Sequence, residues 1–451
     1  MAAQSRHDRS EGDINSTEAR KTYRTGLSRE TLEILEADDR CFLHQSLSTP
    51  CLDVLKGVEG IYLQTVDGRR LMDFHGNYCH NIGYGHPALI QNLQEQLAGF
   101  SFNPRRFTNA PATALASALA AEAPGDLNRV LFAPGGALAI GMALKLARLV
   151  TGKHKVISLW DSFHGASLDA ISVGGERLFR DNLGPLLPGC EHAPPPVPDG
   201  CPFHCGSKCQ LRCAEYVEYL MEQHGDVGAV LVEPVRCTDV QIPPVGYFDI
   251  LRAACNRHDA LLIFDEIPLA LGRTGRFFCF EHFGVDPDII VLGKALGGGV
   301  VPLAAVIAGE CCNIGQSTAL GHYTHEKNPF CATAGLSTLE IIREEGLVHR
   351  SAKLGSLLLE HLNSLRERHP AIREVRGLGL LAGIELVDPE TGEPASEYAE
   401  SVMLQCQKMG LSFKTGKGHV LVLAPPLTIR EDQLLEAIEV LDRGLSSAAI
   451  R

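Results

Sequence analysis

The chain has 451 residues, 45% of them hydrophobic and 21% charged, with a formal net charge of -13. This is the composition of a globular protein with room for about two or three domains and a large core. The acidic balance argues against a nucleic-acid partner, because phosphate backbones need clustered Lys and Arg, yet it leaves room for a local cationic pocket that takes a small anion.

The opening stretch "MAAQSRHDRSEGDINSTEARK" is charged throughout and lacks the apolar centre of a secretion signal. No apolar run is long enough to span a bilayer, so a cytoplasmic protein with no membrane partner is expected. The 15 cysteines are an odd number, which fits reduced thiols better than a complete disulfide framework.

Residues 1–25 read as a flexible polar arm. Residues 26–75 follow as the first part of a small domain, with "GIYLQTVDGRRLMDF" (60–74) forming a hairpin around Asp67-Gly68. Residues 76–330 read as the large domain. In it, short apolar runs recur at "RVLF" (129–132), "KVISLW" (155–160), "AVLVEPV" (229–235), "ALLIFDEI" (260–267), "DIIVLGK" (288–294) and "LAAVIAG" (303–309). Runs without polar alternation predict strands buried on both faces, and the spacing leaves room for crossover helices. The expected fold class is α/β with a mainly parallel sheet.

The segment "PPPVPDG" (194–200) breaks this rhythm and leads into "CPFHCGSKCQLRC" (201–213), a Cys-rich insertion over about 194–214. Pro202 and Gly206 oppose a continuous helix through it, and a helix is expected from Ala214. From 331 to 451, long helical patterns and the strand-like "IREVRGLGLLAGIEL" and "HVLVLAPPLTI" predict a smaller α+β domain.

Ligands of parallel sheets bind outside the carboxyl ends of the strands. Those tips carry Gly135-Gly136, Phe163-His164-Gly165, Glu233, Asp265-Glu266 and Lys294. Pyridoxal 5'-phosphate needs such a set: a lysine for an imine, an acid for its pyridinium nitrogen and a donor-rich phosphate cradle. Each residue alone has an ordinary alternative, such as a surface lysine, a turn-capping acid or a core phenylalanine. Their joint occurrence on successive tips is the signal.

The stretch "LLIFDEIPLALGRTGRFFCFEHFGVDPDIIVLGKALGGGVVPLAAVIA" resembles the signature region of the class III aminotransferases, pyridoxal-phosphate enzymes of fold type I. The likeness extends to "GHP" (85–87), "DSFHG" (161–165), "EPV" (233–235), "YTHEKNP" (323–329) and "VRGLGLLAGIEL" (375–386). The resemblance implies that Lys294 forms the imine, Asp265 pairs with the ring nitrogen and Phe163 stacks on the ring with His164 beside it. It implies that Gly135, Gly136 and Ala137 cradle the phosphate. Thr324 would reach the phosphate of a neighbouring subunit, hence a homodimer with shared sites. Glu233 and Arg376 match positions near the substrate, and an arginine fork suits a carboxylate, with a structural ion pair as the alternative.

Two departures stand out. The family's glutamine after Asp-Glu is Pro268 here, and the hydroxyl-bearing phosphate loop is reduced to Gly135-Gly136-Ala137-Leu138-Ala139. Phosphate binding would rest on backbone N–H groups and Thr324.

The leading expectation is transfer of an amino group from a primary amine or amino acid to a keto acid. Lys327 and Lys414 suggest an anionic substrate, which raises an alternative: a lyase acting on 1-hydroxy-2-aminoethylphosphonate or a phosphorylated amino alcohol. A third reading is a catalytically impaired binding or regulatory protein. For the insertion, Cys201, Cys205, Cys209 and Cys213 could hold a structural zinc, with His204 as a substitute ligand. The even spacing lacks the longer spacer of common zinc sites, so unligated thiols and no metal are expected.

Overall fold

The computed structural model describes residues 13–197, 201–205 and 209–448. Its centre is a seven-stranded sheet, in the order Leu127–Ala133, Ala304–Gly309, Ile289–Leu292, Leu261–Asp265, Val227–Val232, Lys155–Leu159 and Cys190–Ala193. Only Ala304–Gly309 runs antiparallel to its neighbours; the other pairings are parallel.

All six expected strands are present. The seventh, Cys190–Ala193, is a polar edge strand with no apolar run to announce it. The lack of alternation in the central strands has a direct cause. Leu262 and Phe264 enter the core on one face of the sheet, while Ile263 enters the core on the other. Val230 and Leu231 divide in the same way, as do Ile290 and Val291. Because both faces are covered, successive side chains must all be apolar.

The helix Gly136–Thr151 covers one face, burying Ile140, Met142 and Leu146. On the other face lie Arg212–His224 and Tyr247–Arg257. The helix expected from Ala214 therefore begins two residues earlier.

Two four-stranded sheets flank this centre. One is the antiparallel set Ile372–Leu378, Leu381–Leu386, Val420–Leu423 and Lys414–Gly416. The other joins the expected hairpin, Tyr62–Thr65 with Arg70–Asp73, to Leu55–Glu59 and to Leu411–Ser412. Phe74 N–H donates to Ser412 at 2.8 Å, and Ala424 N–H donates to Phe74 at 2.7 Å. These bonds tie the turn after Phe74 to the C-terminal strands.

Part of the stretch expected to be a loose arm is ordered. Glu18–Arg24 is a helix whose start is capped by Thr17. Arg20 is buried and meets Glu400 at 2.9 Å, docking this helix on Ser396–Lys408. The ordering comes from a partner some 380 residues away, which local composition does not reveal.

Candidate active site

Asp265 ends its strand with a buried carboxylate. One oxygen accepts the N–H of Ile267 at 3.1 Å, and the other lies 2.7 Å from His164 Nδ1. His164 Nε2 is 3.1 Å from Ser158 Oγ, which is 3.2 Å from Ser162 Oγ. A proton on Nδ1 lets His164 donate to Asp265 and accept from Ser158 at once. That chain aims the carboxylate and keeps it an acceptor for a protonated ring nitrogen.

Glu233, from the neighbouring strand, accepts the N–H of Phe163 at 3.3 Å. Burial pushes its carboxyl up to about 7; His164 pulls it down and Asp265 pushes it further up. Phe163 itself packs against Phe179, with ring centroids 4.2 Å apart.

Lys294 follows the strand Ile289–Leu292 and sits at φ +44°, a left-handed conformation that is strained for a residue with a Cβ. Its Nζ lies 5.1 Å from the centroid of the Tyr78 ring, and Lys414 Nζ lies 6.0 Å from the same centroid. A cavity of about 360 Å³ is bounded by Lys294, Gly135, Gly136, Cys79 and the loop Gly299–Leu303. At its floor the helix Gly136–Thr151 begins without any side-chain cap, so its first N–H groups are open donors for an anion. A Cβ on Gly136 would stand 2.9 Å from Ile267 Cδ1, so a larger residue there would have to push that methyl aside. Gly165, at φ +123°, likewise leaves no space, with a Cβ 2.6 Å from that of Ala137.

These residues fit pyridoxal phosphate. Asp265 would hold the ring nitrogen, Lys294 the aldehyde carbon and the helix start at Gly136 the phosphate. When bound, the cofactor would supply an electron sink for the carbon that bears the substrate's amine. Pro268 brings no side-chain donor, and Glu266 beside it is buried, accepting the N–H groups of Cys279 at 3.0 Å and Phe280 at 2.8 Å. Burial pushes Glu266 up to about 8.

The other sequence candidates separate. Lys414 is buried beside Tyr78, whereas Lys327 is exposed; neither is among the residues that bound the cavity. Thr324 is also exposed and off the cavity of its own chain. Arg376 departs from the expected carboxylate contact. Its Nε donates to Val240 O at 2.9 Å, Nη2 to Asp239 O at 2.8 Å and Nη1 to Glu374 and Glu385 at 2.7 and 2.5 Å. Every guanidinium nitrogen is thus engaged inside the protein, which is the structural alternative.

One part of the site escaped sequence reading: the turn "HGNYCH" (75–80). Gly76, Asn77 and Tyr78 all have positive φ, so the turn is strained. Both ring nitrogens of His75 are buried without a hydrogen-bond partner. Burial holds His75 well below its ordinary range, followed by the positive charges of Lys414, His80 and Lys294; the Asn77 amide pulls weakly the other way without closing a hydrogen bond. Three ring side chains in one short turn is the signal that could have found it.

The class III aminotransferase family model matches residues 45–445, and the chain belongs to that family of pyridoxal-phosphate enzymes. It is 46% identical to the (R)-1-hydroxy-2-aminoethylphosphonate ammonia-lyase of Vibrio splendidus, over 98% of this chain and 95% of that protein. It is 35% identical to an omega-aminotransferase of Caulobacter vibrioides, over 87% of this chain and 93% of that one. Among solved structures, an amine transaminase from an uncultivated Pseudomonas species in its PLP-bound form superposes with a TM-score of 0.84 at 29% identity. That match covers 91% of this chain and 99% of the transaminase. Among the described residues no helix is long and apolar enough to cross a membrane.

Proposed function

We propose that the protein is a pyridoxal-phosphate-dependent ammonia-lyase acting on a hydroxylated aminophosphonate, with (R)-1-hydroxy-2-aminoethylphosphonate as the first candidate substrate. The observation that carries this reading is the buried Lys414 ammonium, set with Lys294 around Tyr78 and beside His75. Two ammonium groups on one ring give this wall of the site a positive character that suits a phosphonate. The likeness to the Vibrio lyase supports the same choice, so amino-group transfer to a keto acid becomes the second reading. The presence of both Lys294 and Asp265 at the strand ends tells against an impaired binding protein.

In this reading Lys414 and His75 hold the phosphonate, and Asp265 with His164 keeps the cofactor ring protonated. Lys294 Nζ removes a proton from the carbon bearing the amine. The hydroxyl on the adjacent carbon then leaves with a proton as water, and water returns when the carbon–nitrogen bond is hydrolysed. The net result is ammonia and a phosphono-aldehyde, with no atom gained or lost. Thr324, exposed in a single chain, is assigned to the phosphate site of a partner subunit in a homodimer.

The test supplies (R)-1-hydroxy-2-aminoethylphosphonate without any keto acid and measures released ammonia. Many turnovers per active site are expected from a yellow protein, and none from Lys294→Ala. Turnover that stops at one equivalent until a keto acid is added would assign transamination instead.

A further inference from the structure

Four charged side chains outside the cavity close a ring of alternating sign. Lys417 Nζ lies 2.9 Å from Asp161 Oδ2 and 3.6 Å from Asp239 Oδ2. Arg236 Nη1 lies 3.6 Å from the same Asp161 oxygen and 3.5 Å from the same Asp239 oxygen. Each cation thus meets both acids, and each acid meets both cations. Glu176 adds a third carboxylate on the Arg236 side, 4.0 Å from Nη2. Arg236 and Asp239 are buried, whereas the side chains of Lys417 and Asp161 are 29% and 44% exposed.

The ring joins three segments that each carry part of the site. Asp161 opens the segment that bears Phe163 and His164. Arg236 and Asp239 lie in a loop that closes on itself, since Arg236 and Gln241 exchange two backbone hydrogen bonds of 3.0 Å. That loop also anchors Tyr78, whose hydroxyl donates to the Cys237 carbonyl at 2.9 Å. Lys417 lies in the turn between the strands Lys414–Gly416 and Val420–Leu423.

That turn governs where Lys414 stands. As the outer strand of its sheet, Lys414–Gly416 has a ladder on one side alone among the described residues. The strand also rests on the loop 236–241, so closely that a Cβ on Gly416 would overlap the Thr238 carbonyl oxygen. Lys417 has φ +48°, a left-handed conformation that Gly or Asn adopts more readily. The turn alone would favour those residues, so the reach of the ammonium to two acids accounts for the lysine. Ion pairs this exposed contribute little to stability. What the ring supplies is register: it ties the hairpin carrying Lys414 to the loop that anchors Tyr78.

We propose that Lys417 is a positioning residue for the substrate's anionic group, setting Lys414 against Tyr78 through Asp161 and Asp239 without touching substrate itself. This rests on the reading that Lys414 meets the substrate anion.

The test is a double-variant cycle in full-length, cofactor-loaded enzyme, read as KM and kcat for (R)-1-hydroxy-2-aminoethylphosphonate. Lys417→Met should raise KM about 5- to 10-fold with a smaller change in kcat, since a displaced contact is lost only in part. Lys417→Arg should restore most of it. KM for an uncharged amine of similar length should stay near wild type, which general loosening of the fold would not allow. In a Lys414→Met background, Lys417→Met should change KM by less than about twofold, because nothing is left to position. Asp161→Asn opens the same contact from the other side and should raise KM alike; it serves if Lys417→Met does not fold. Additive effects of Lys417→Met and Lys414→Met, or an unchanged KM in Lys417→Met, overturn this proposal and leave the role of Lys414 standing. A wild-type KM in Lys414→Met overturns both together. If the enzyme proves to consume a keto acid, the same cycle is read on KM for that acid, whose carboxylate is then the anion.

Discussion

His164 Nδ1 stands 2.7 Å from Asp265 Oδ2, with both side chains buried at the carboxyl edge of the sheet. With Oδ1 accepting the N–H of Ile267, the imidazole at Oδ2 fixes how the carboxylate is aimed. Asp265→Asn cannot hold a proton on the ring nitrogen, and kcat should fall by about a hundredfold to a thousandfold, the scale of losing one aimed electrostatic partner. His164→Gln leaves the carboxylate and should cost less. Steady-state kinetics at saturating cofactor, with the visible absorbance recorded, separate a loss of chemistry from a loss of binding.

In the proposed function, Lys414 and His75 differ from Asp265 in acting on the substrate alone. Lys414→Met should raise KM for an aminophosphonate about 10- to 100-fold, the range for one charge-assisted hydrogen bond, with a smaller change in kcat. Lys414→Arg should recover part of the loss. Comparing the phosphonate with an uncharged amine of similar length checks the assignment, since only the anion should respond.

Glu233 makes stability depend on pH. Its carboxyl titrates near 4.5 in the unfolded chain and about 7 in the fold, so the folded state binds the proton more tightly. The stabilisation is complete below the unfolded value and is lost as pH rises through 7. In cofactor-free protein, Glu233→Gln should therefore gain in Tm relative to wild type between pH 5 and pH 8. A difference that does not change over that window would show that Glu233 is not held neutral.

Arg376 and Glu385 are both buried, and burial of Glu385 is outweighed by His419, Arg376 and Arg373, which hold its carboxyl down at about 2. Arg376→Met removes one of three cationic partners of that carboxylate, leaving Arg373 and His419, and should destabilise the fold by about 1–3 kcal/mol, the scale of one lost hydrogen bond to a charged group. Denaturant unfolding measures this. KM for the anionic substrate should stay close to wild type, which a substrate-binding arginine would not allow.

Much of the site was legible because a parallel sheet brings its strand ends to one edge. Once the apolar runs were read as strands, Asp265, Lys294, Glu233 and the Gly135-Gly136 turn had to be neighbours. The turn at 75–80 was not legible. It reaches the site only because Phe74 bonds to Ser412 and Ala424, more than 300 residues along the chain.

The sequence by itself determined the class of the protein: the strand order of chemistry, the lysine and the acid, and the family likeness. Its reason is local, since burial on two faces demands apolar runs and their tips carry the polar groups. Tertiary structure alone decided which of the charged candidates are enclosed and which are exposed or already paired. Lys414 is enclosed beside Tyr78 while Lys327 faces solvent, and Arg376 is taken up by carbonyls that composition could not place next to it. Side-chain type sets what a group can do; long-range packing sets whether water, protein or substrate meets its charge.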